Sequence, residues 1–433
     1  MGFAKAGRII LLFLALAGPA MAEKIVITSP GQQTIPLALT ELLPAAGQPA
    51  NPAVVGEFNQ VLQGDLALSG LFDFVSRAAF MDDARRIGLT SAEVDYPQWR
   101  LLGADMLIKG TYQLDGDRLT IEARLFDVAR QRMLSGRRYV GQRKDLRTIG
   151  HTFADQVLQA LTGDLGPFNA RIAYISRASG SKELYLMETD GANPQRLTSH
   201  QSIVLNPDFA PERKEIIFTS YKGGNPDLYR KELFTGAEAA LSRRPGLNAG
   251  GRYSPDGRTI ALTQSDKGNT DIILLSADGR TRTPITDYWG IDTDPSWSPD
   301  GRELAFVSDR HGTPQVFVVG RAGGPPRRLT YNGRYNVTPA WSPKGNWIAY
   351  SRLEENQFDV YIIRPDGSDE RRVTFGPGNK EHARWSPDGR FLVFSNDVGG
   401  TKAIAVMRID GTGMKIISPP GADCQHPAWS PRW

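Results

Sequence analysis

From about residue 165 the chain repeats itself every 44 residues, six times, with no insertion between copies. Six prolines mark the phase: Pro211, Pro255, Pro299, Pro343, Pro387 and Pro431. An aromatic residue stands two places before each, and the copies read Phe-Ala-Pro, Tyr-Ser-Pro-Asp-Gly, Trp-Ser-Pro-Asp-Gly, Trp-Ser-Pro-Lys-Gly, Trp-Ser-Pro-Asp-Gly and Trp-Ser-Pro. A repeat of about 40–50 residues that spells four strands is a propeller blade. No other property of the chain restricts its fold as much.

Each motif is a turn with a mechanism. Proline presets φ, aspartate tolerates the next position, and glycine takes the conformation that a side chain resists. The strand after it carries an apolar column, as in Ile172-Ala173-Tyr174, Ile260-Ala261-Leu262 and Leu392-Val393-Phe394. Its middle residue is apolar too, so both faces are expected to be buried between neighbouring blades. A third strand recurs at Leu184, Leu228, Ile272, Val316, Val360 and Ile404, followed by Asp-Gly turns at Asp190, Asp278, Asp366 and Asp410. These read as hairpins. A fourth strand is predicted on the pairs Leu197-Thr198, Leu241-Ser242, Ile285-Thr286, Leu329-Thr330, Val373-Thr374 and Ile417-Ser418. The prediction is a mainly β chain: a six-bladed propeller over 164–433, preceded by a small α/β domain over 23–163.

The repeat region begins on a second strand near Arg171, and the chain stops just after a first strand, His426 onward. Pairing these two halves would close the ring and remove its open edges. In the preceding domain Asn51–Leu71 and Ile149–Leu161 read as helices, and Met106–Leu114 and Leu119–Val128 as a hairpin across Asp115-Gly116-Asp117. Residues 24–28 read as a strand, and 29–48, rich in Pro, Gly and Thr, as irregular.

Residues 1–22 combine Lys5 and Arg8, an apolar run from Ile9 to about Ala17, and Ala20-Met21-Ala22. That is the pattern of a cleavable secretory signal, with Glu23 as the mature start. The run is shorter than the ~20 residues a membrane span needs, and the cleavage point has no cysteine for a lipid. An exported chain with no membrane insertion is expected. Cys424 is the sole cysteine, so no disulfide forms within the chain. Losing Lys5 and Arg8 lowers the formal net charge from +4 to +2, and the basic residues are scattered through turns. A nucleic-acid partner is therefore not expected.

The chain has no Gly-x-Ser-x-Gly elbow, His-Glu-x-x-His, paired-cysteine zinc pattern, Walker loop or Rossmann fingerprint. What remains is positional. Five residues before the phase prolines stand Asn206, Gly250, Asp294, Thr338, His382 and His426, a ring around one end of the channel. Asp294, His382 and His426 could ligate a transition metal, though ligands must converge to about 2 Å and these blades are not all adjacent. A hydrated polar mouth is a second reading. A seat for part of another protein is the preferred one, since rigid scaffolds carry their contacts on such loops. His151, His200 and His311 lie outside the ring and read as surface or internally satisfied histidines.

The signal, the start Glu23-Lys24-Ile25-Val26-Ile27, the α/β domain, the six repeats and the ending His426-Pro427-Ala428-Trp429-Ser430-Pro431 together resemble the TolB family. The resemblance spans the whole chain. It implies a periplasmic, non-enzymatic and monomeric adaptor without cofactor or metal, serving outer-membrane integrity and envelope constriction in cell division. By the same resemblance the channel mouth binds Pal, the peptidoglycan-associated lipoprotein, and segment 23–36 binds the TolA C-terminal domain through Glu23, Lys24, Ile25, Val26 and Ile27. Thr293-Asp294-Pro295 matches the family's Thr-acid-Pro contact with Pal. Leu247-Asn248-Ala249-Gly250 matches in place, with Leu247 where a family member has histidine. Asn206, Thr338, His382 and His426 complete the expected Pal mouth. An exported propeller enzyme (a metal-assisted lyase or hydrolase) and an envelope-polymer binding module are the alternatives.

Overall fold

The computed structural model describes residues 34–432, apart from Arg213 and Lys267. The expected signal, the strand over 24–28 and the five residues Glu23–Ile27 lie outside the described residues. Among the described residues no helix is long and apolar enough to cross a membrane.

Six four-stranded antiparallel sheets form the ring. Blade 1 contains Val204–Phe209, Glu215–Ser220, Asp227–Glu232 and Glu238–Ser242 in order from the channel outward. Blades 2 to 5 follow in register. Blade 6 takes its innermost strand, Cys424–Trp429, from the chain's end and its other three, Arg171–Ser176, Glu183–Glu188 and Gln195–Arg196, from the start of the repeats. Trp429 pairs with Ile172 and Ala428 with Ala173. Each innermost strand touches the next, and the sixth touches the first. The expected closure is what the structure contains.

The second strands are buried on both faces, as in Ile216-Ile217-Phe218 and Leu392-Val393-Phe394, because each blade packs between two neighbours. The motif turns hold themselves. In blades 2, 3 and 5 the serine hydroxyl donates to the aspartate two residues on and accepts the N–H five residues on. The glycines that follow (Gly257, Gly301, Gly345 and Gly389) have φ of 67 to 77°, the left-handed region where a side chain is resisted.

The fourth strand is shifted from its expected place. Outside blade 1 it ends just before the Leu-Thr pair, as in Arg327–Arg328 and Arg371–Arg372. The reason is local. The hydroxyls of Thr198, Thr286, Thr330, Thr374 and Ser418 accept the third-strand N–H groups of Leu184, Ile272, Val316, Val360 and Ile404, at 2.8 to 3.0 Å. A side chain there takes over from the main-chain ladder. In blade 1 Ser242 stays in the strand and pairs with Leu228.

The first domain is a sheet in the order Phe72–Phe74, Ile35–Leu39, Met106–Asp115, Arg118–Asp127, Arg132–Gln142. Helices Pro52–Ser69 and Leu146–Thr162 pack together and face the sheet. Asn51 caps the first by accepting from Val54 N–H. The expectation of an irregular 29–48 is corrected where it is described: Ile35–Leu39 is an inner strand with parallel neighbours on both sides, and Leu43–Pro44 pairs with Thr111-Tyr112.

The two parts share one core, in which Phe153, Val157 and Leu158 join Phe168, Phe391 and Trp429. A buried ionic latch crosses the same boundary. His151 is 0% exposed, with Nδ1 at 2.6 Å from Asp65 and Nε2 at 3.3 Å from Glu188 of blade 6. Arg147 donates to Glu188 at 2.6 Å and to Asp190 at 2.5 Å. His151 is thus an interdomain strut. His200 is satisfied within blade 1 by Ser220 and Glu238.

Candidate binding mouth of the propeller

The innermost strands of all six blades carry the same irregularity. The pairing of strands 1 and 2 slips between residues 205/208, 249/252, 293/296, 337/340, 381/384 and 425/428. Each slip is a β-bulge centred on a ring residue. Asn206, Gly250, Asp294, Thr338, His382 and His426 all have positive φ, between 51 and 66°. Only one of the six is glycine. A β-branched threonine in this region is a genuine outlier, and such strain is tolerated where surrounding bonds over-determine it.

For Gly250, Asp294, His426 and Asn206 a bond comes from the preceding blade. Thr219 Oγ1 accepts from Gly250 N–H at 3.2 Å, Thr263 Oγ1 from Asp294 N–H at 3.1 Å, and Ser395 Oγ from His426 N–H at 3.0 Å. Thr338 is held within its own blade, its Oγ1 2.9 Å from Ser351 Oγ. Asn206 N–H donates to His426 Nδ1 at 3.4 Å across the seam. Bulges re-aim side chains, and here they turn six positions toward one opening.

The ring's ionisable groups are held away from charge. Burial and the guanidinium of Arg384 push His382 down to about 3. Burial and the neighbouring His382 push His426 well below the usual imidazole range. The two rings lie 4.1 Å apart between centroids. Burial raises the Asp294 carboxyl, against the pull of Arg252 and Arg384. At neutral pH the mouth presents two neutral imidazoles, a hydroxyl, an amide and one carboxyl: a hydrogen-bonding surface without an acid–base couple aimed at a shared point. Asp294, His382 and His426 are not brought together as a ligand set. Among the described residues the one convergent group is His151, Glu188 and Asp190, whose donors already meet Arg147 and Asp65.

Two further expected contacts are placed as follows. Thr293 is half-buried beside Asp294. Asn248 is 0% exposed, and its carbonyl and amide are taken by Ser242, Gln264, Arg244 and Gly246. It braces the loop into blade 2 and has nothing left for a partner, so it is corrected from contact to strut. Asn336 and Lys380, in the same column, brace their loops likewise.

Sequence reasoning missed the rim. The loops that lead into the ring strands of blades 3, 4 and 5 carry Trp289, Tyr331 and Phe375, which are 84, 71 and 62% exposed. Arg328 lies over the Tyr331 ring and Arg372 over Phe375, which orients both aromatics. Clustered exposed aromatics mark interaction surfaces. The available signal was the column in which Thr330-Tyr331 and Thr374-Phe375 coincide.

Known proteins share this architecture. The family model "TolB beta propeller domain" matches residues 158–433, and "TolB amino-terminal domain" matches 23–134. The Tol-Pal system protein TolB of Syntrophotalea carbinolica is 59% identical over 200 residues, 46% of each chain. That of Geobacter sulfurreducens is 45% identical over 182 residues, 42% of this chain and 41% of its own. The chain thus spans about half the length of the curated relatives it matches. The crystal structure of TolB from Acinetobacter baumannii superposes with a TM-score of 0.81 at 26% identity, over 92% of this chain and 97% of that one.

Proposed function

The chain belongs to the TolB family, and on that premise we propose that it is a non-enzymatic periplasmic adaptor of the Tol–Pal system. Its bulged ring and aromatic rim receive Pal, and segment 23–33 is offered to the TolA C-terminal domain. The observation that carries this reading is the six-fold left-handed ring. Strain repeated in every blade, and pinned in three of them by a hydroxyl from the blade before, prepares a mouth whose hydrogen-bonding groups need little rearrangement to meet a guest. Preorganisation of that kind lowers the cost of association. The aromatic rim supplies the apolar anchors that protein interfaces favour.

Coupling between the two partners follows from ordering cost. Any segment that docks loses about 1–2 kcal/mol of backbone entropy per residue fixed, so small differences in contact decide whether it is held or released. Linkage makes the effect mutual: Pal and TolA alter each other's affinity by the same factor.

The structure redraws the useful truncation. Ile35–Leu37 pair with Phe72–Phe74, so a deletion through residue 36 would damage the sheet, whereas one of 23–33 spares it. Titration calorimetry of the mature chain, of that deletion and of Asp294→Ala tests the proposal. The deletion is expected to lose TolA and keep Pal. Asp294→Ala is expected to weaken Pal by ~1–3 kcal/mol, the cost of an unsatisfied buried partner. Loss of Pal on deleting 23–33, or full Pal affinity in Asp294→Ala, would contradict it.

A further inference from the structure

We propose that the opposite end of the channel is a second binding site, which takes a carboxylate carried on an apolar stem. The Trp-Ser-Pro turns surround a cavity of about 440 Å³ there, on the face away from the ring. Its floor is one further column, three places before each phase proline: Asp208, Arg252, Ser296, Ala340, Arg384 and Ala428. Arg252 and Arg384 are three blades apart in a ring of six, so they face each other across the axis.

Neither arginine forms an ion pair among the described residues. Arg252 donates through Nη1 to the carbonyl of Gly251 at 3.0 Å, with Pro207 and Asn206 at 3.4 and 3.5 Å. Arg384 donates through Nη1 to Ala383 at 3.2 Å. Other enclosed arginines here are matched: Arg147 with Glu188 and Asp190, Arg310 with Asp292, Arg352 with Glu370. A guanidinium fork suits a carboxylate. Burial and the facing Arg252 push the Arg384 guanidinium down to about 9, a penalty that a bound anion relieves.

The floor sets the ligand's charge. Burial raises the carboxyls of Asp208 and Asp294, the two acids that Arg252 and Arg384 act on, so the guanidiniums are left short of counter-charge, which a bound carboxylate supplies. One oxygen of Asp208 already accepts Tyr253 N–H at 2.9 Å. The walls set its body. They are aromatic and proline rings with Ser254, Ser342, Ser386 and Ser430 between them, whose hydroxyls bond within their own turns. Trp297 and Trp385 spend their indole N–H on carbonyls of the neighbouring blade. What they offer the cavity is apolar stacking. A free organic acid and the last residue of a peptide share this chemistry.

Thermal melting and calorimetry of the full mature chain test the site with four probes. They are 3-phenylpropionate, its amide, and a short peptide ending in phenylalanine as free acid or as amide. Both acids are expected to bind, raising Tm by about 3 °C near saturation, and both amides to do nothing. Tenfold tighter binding of the peptide acid assigns the site to a chain end, and the reverse to a free acid. Arg384→Gln is expected to weaken the acids at least tenfold while its own unliganded Tm stays level or rises, since it removes an unmatched buried charge. Arg252→Gln should do the same. Equal response to acid and amide, or a variant that melts lower and still binds the acids, would overturn the proposal.

Discussion

Removing residues 428–433 is expected to lower the melting temperature by more than 10 °C and to make the protein self-associate. The tail is half of a blade's innermost pairing. Trp429 and Ala428 pair with Ile172 and Ala173, Ser430 N–H donates to Arg171 O at 2.8 Å, and Arg171 N–H donates back to Ser430 Oγ at 2.8 Å. Arg432 holds the carbonyls of Leu165 and Gly166 in the interdomain linker. Trp429 also belongs to the core shared by both domains. Losing a buried tryptophan alone costs about 3–5 kcal/mol, a large part of the ~5–15 kcal/mol by which a domain is stable. The exposed edge of Arg171–Ser176 would then be free to pair with other chains. Scanning calorimetry and sedimentation of the truncated chain check both effects. An unchanged Tm would refute closure by the tail.

Breaking the latch is the second large effect. Glu188 accepts from Arg147, His151 and Asn193. Glu188→Ala leaves Arg147 and the enclosed imidazole short of their counter-charge, and removing one partner of a buried pair costs about 3–5 kcal/mol. The expected thermogram splits, with the first domain melting ahead of the propeller. The pH dependence has a definite sign. His151 is raised to about 10, with burial opposing and Asp65 the leading favourable cause. A base raised in the folded state stabilises fully below its unfolded value of about 6.5 and loses that contribution as pH climbs through 10. Glu188 is lowered to about 2: burial opposes, while bonds from His151, Asn193 and Arg147 prevail. Its contribution is complete above about 4.5 and fades as pH falls toward 2. The wild-type interface is thus expected to be firmest between about pH 4.5 and 6.5 and to loosen on the alkaline side. A single unsplit transition in Glu188→Ala, unchanged from the wild type, would refute the latch.

Much of this could be read from the chain because one turn chemistry is stated six times. Pro211 and its five counterparts fix where each blade begins, and the ring column follows by counting back five. Counting gives position but not conformation. The left-handed backbone at Gly250, Asp294 and His426 is supported by hydroxyls one blade away, Thr219, Thr263 and Ser395, which no local pattern connects to them. The Leu-Thr pairs looked like strand because their composition is that of strand. A threonine hydroxyl standing in for a main-chain carbonyl is invisible in composition. Asn248 is expected at the mouth from a motif match alone, and a match in place says nothing about which way a side chain faces: here it turns inward to Ser242 and Gln264. Ile35–Leu39 was hidden by neighbouring prolines and glycines, since a short inner strand is specified by the partners on either side of it.

The most direct test of the mouth is amide exchange on the mature chain with and without Pal. Slowed exchange is expected in the loops over 286–294, 330–338 and 374–382, which carry Trp289, Tyr331 and Phe375, with the Trp-Ser-Pro face unaffected. Protection confined to that other face, or spread over the first domain alone, would show that the bulged ring is not where the partner enters.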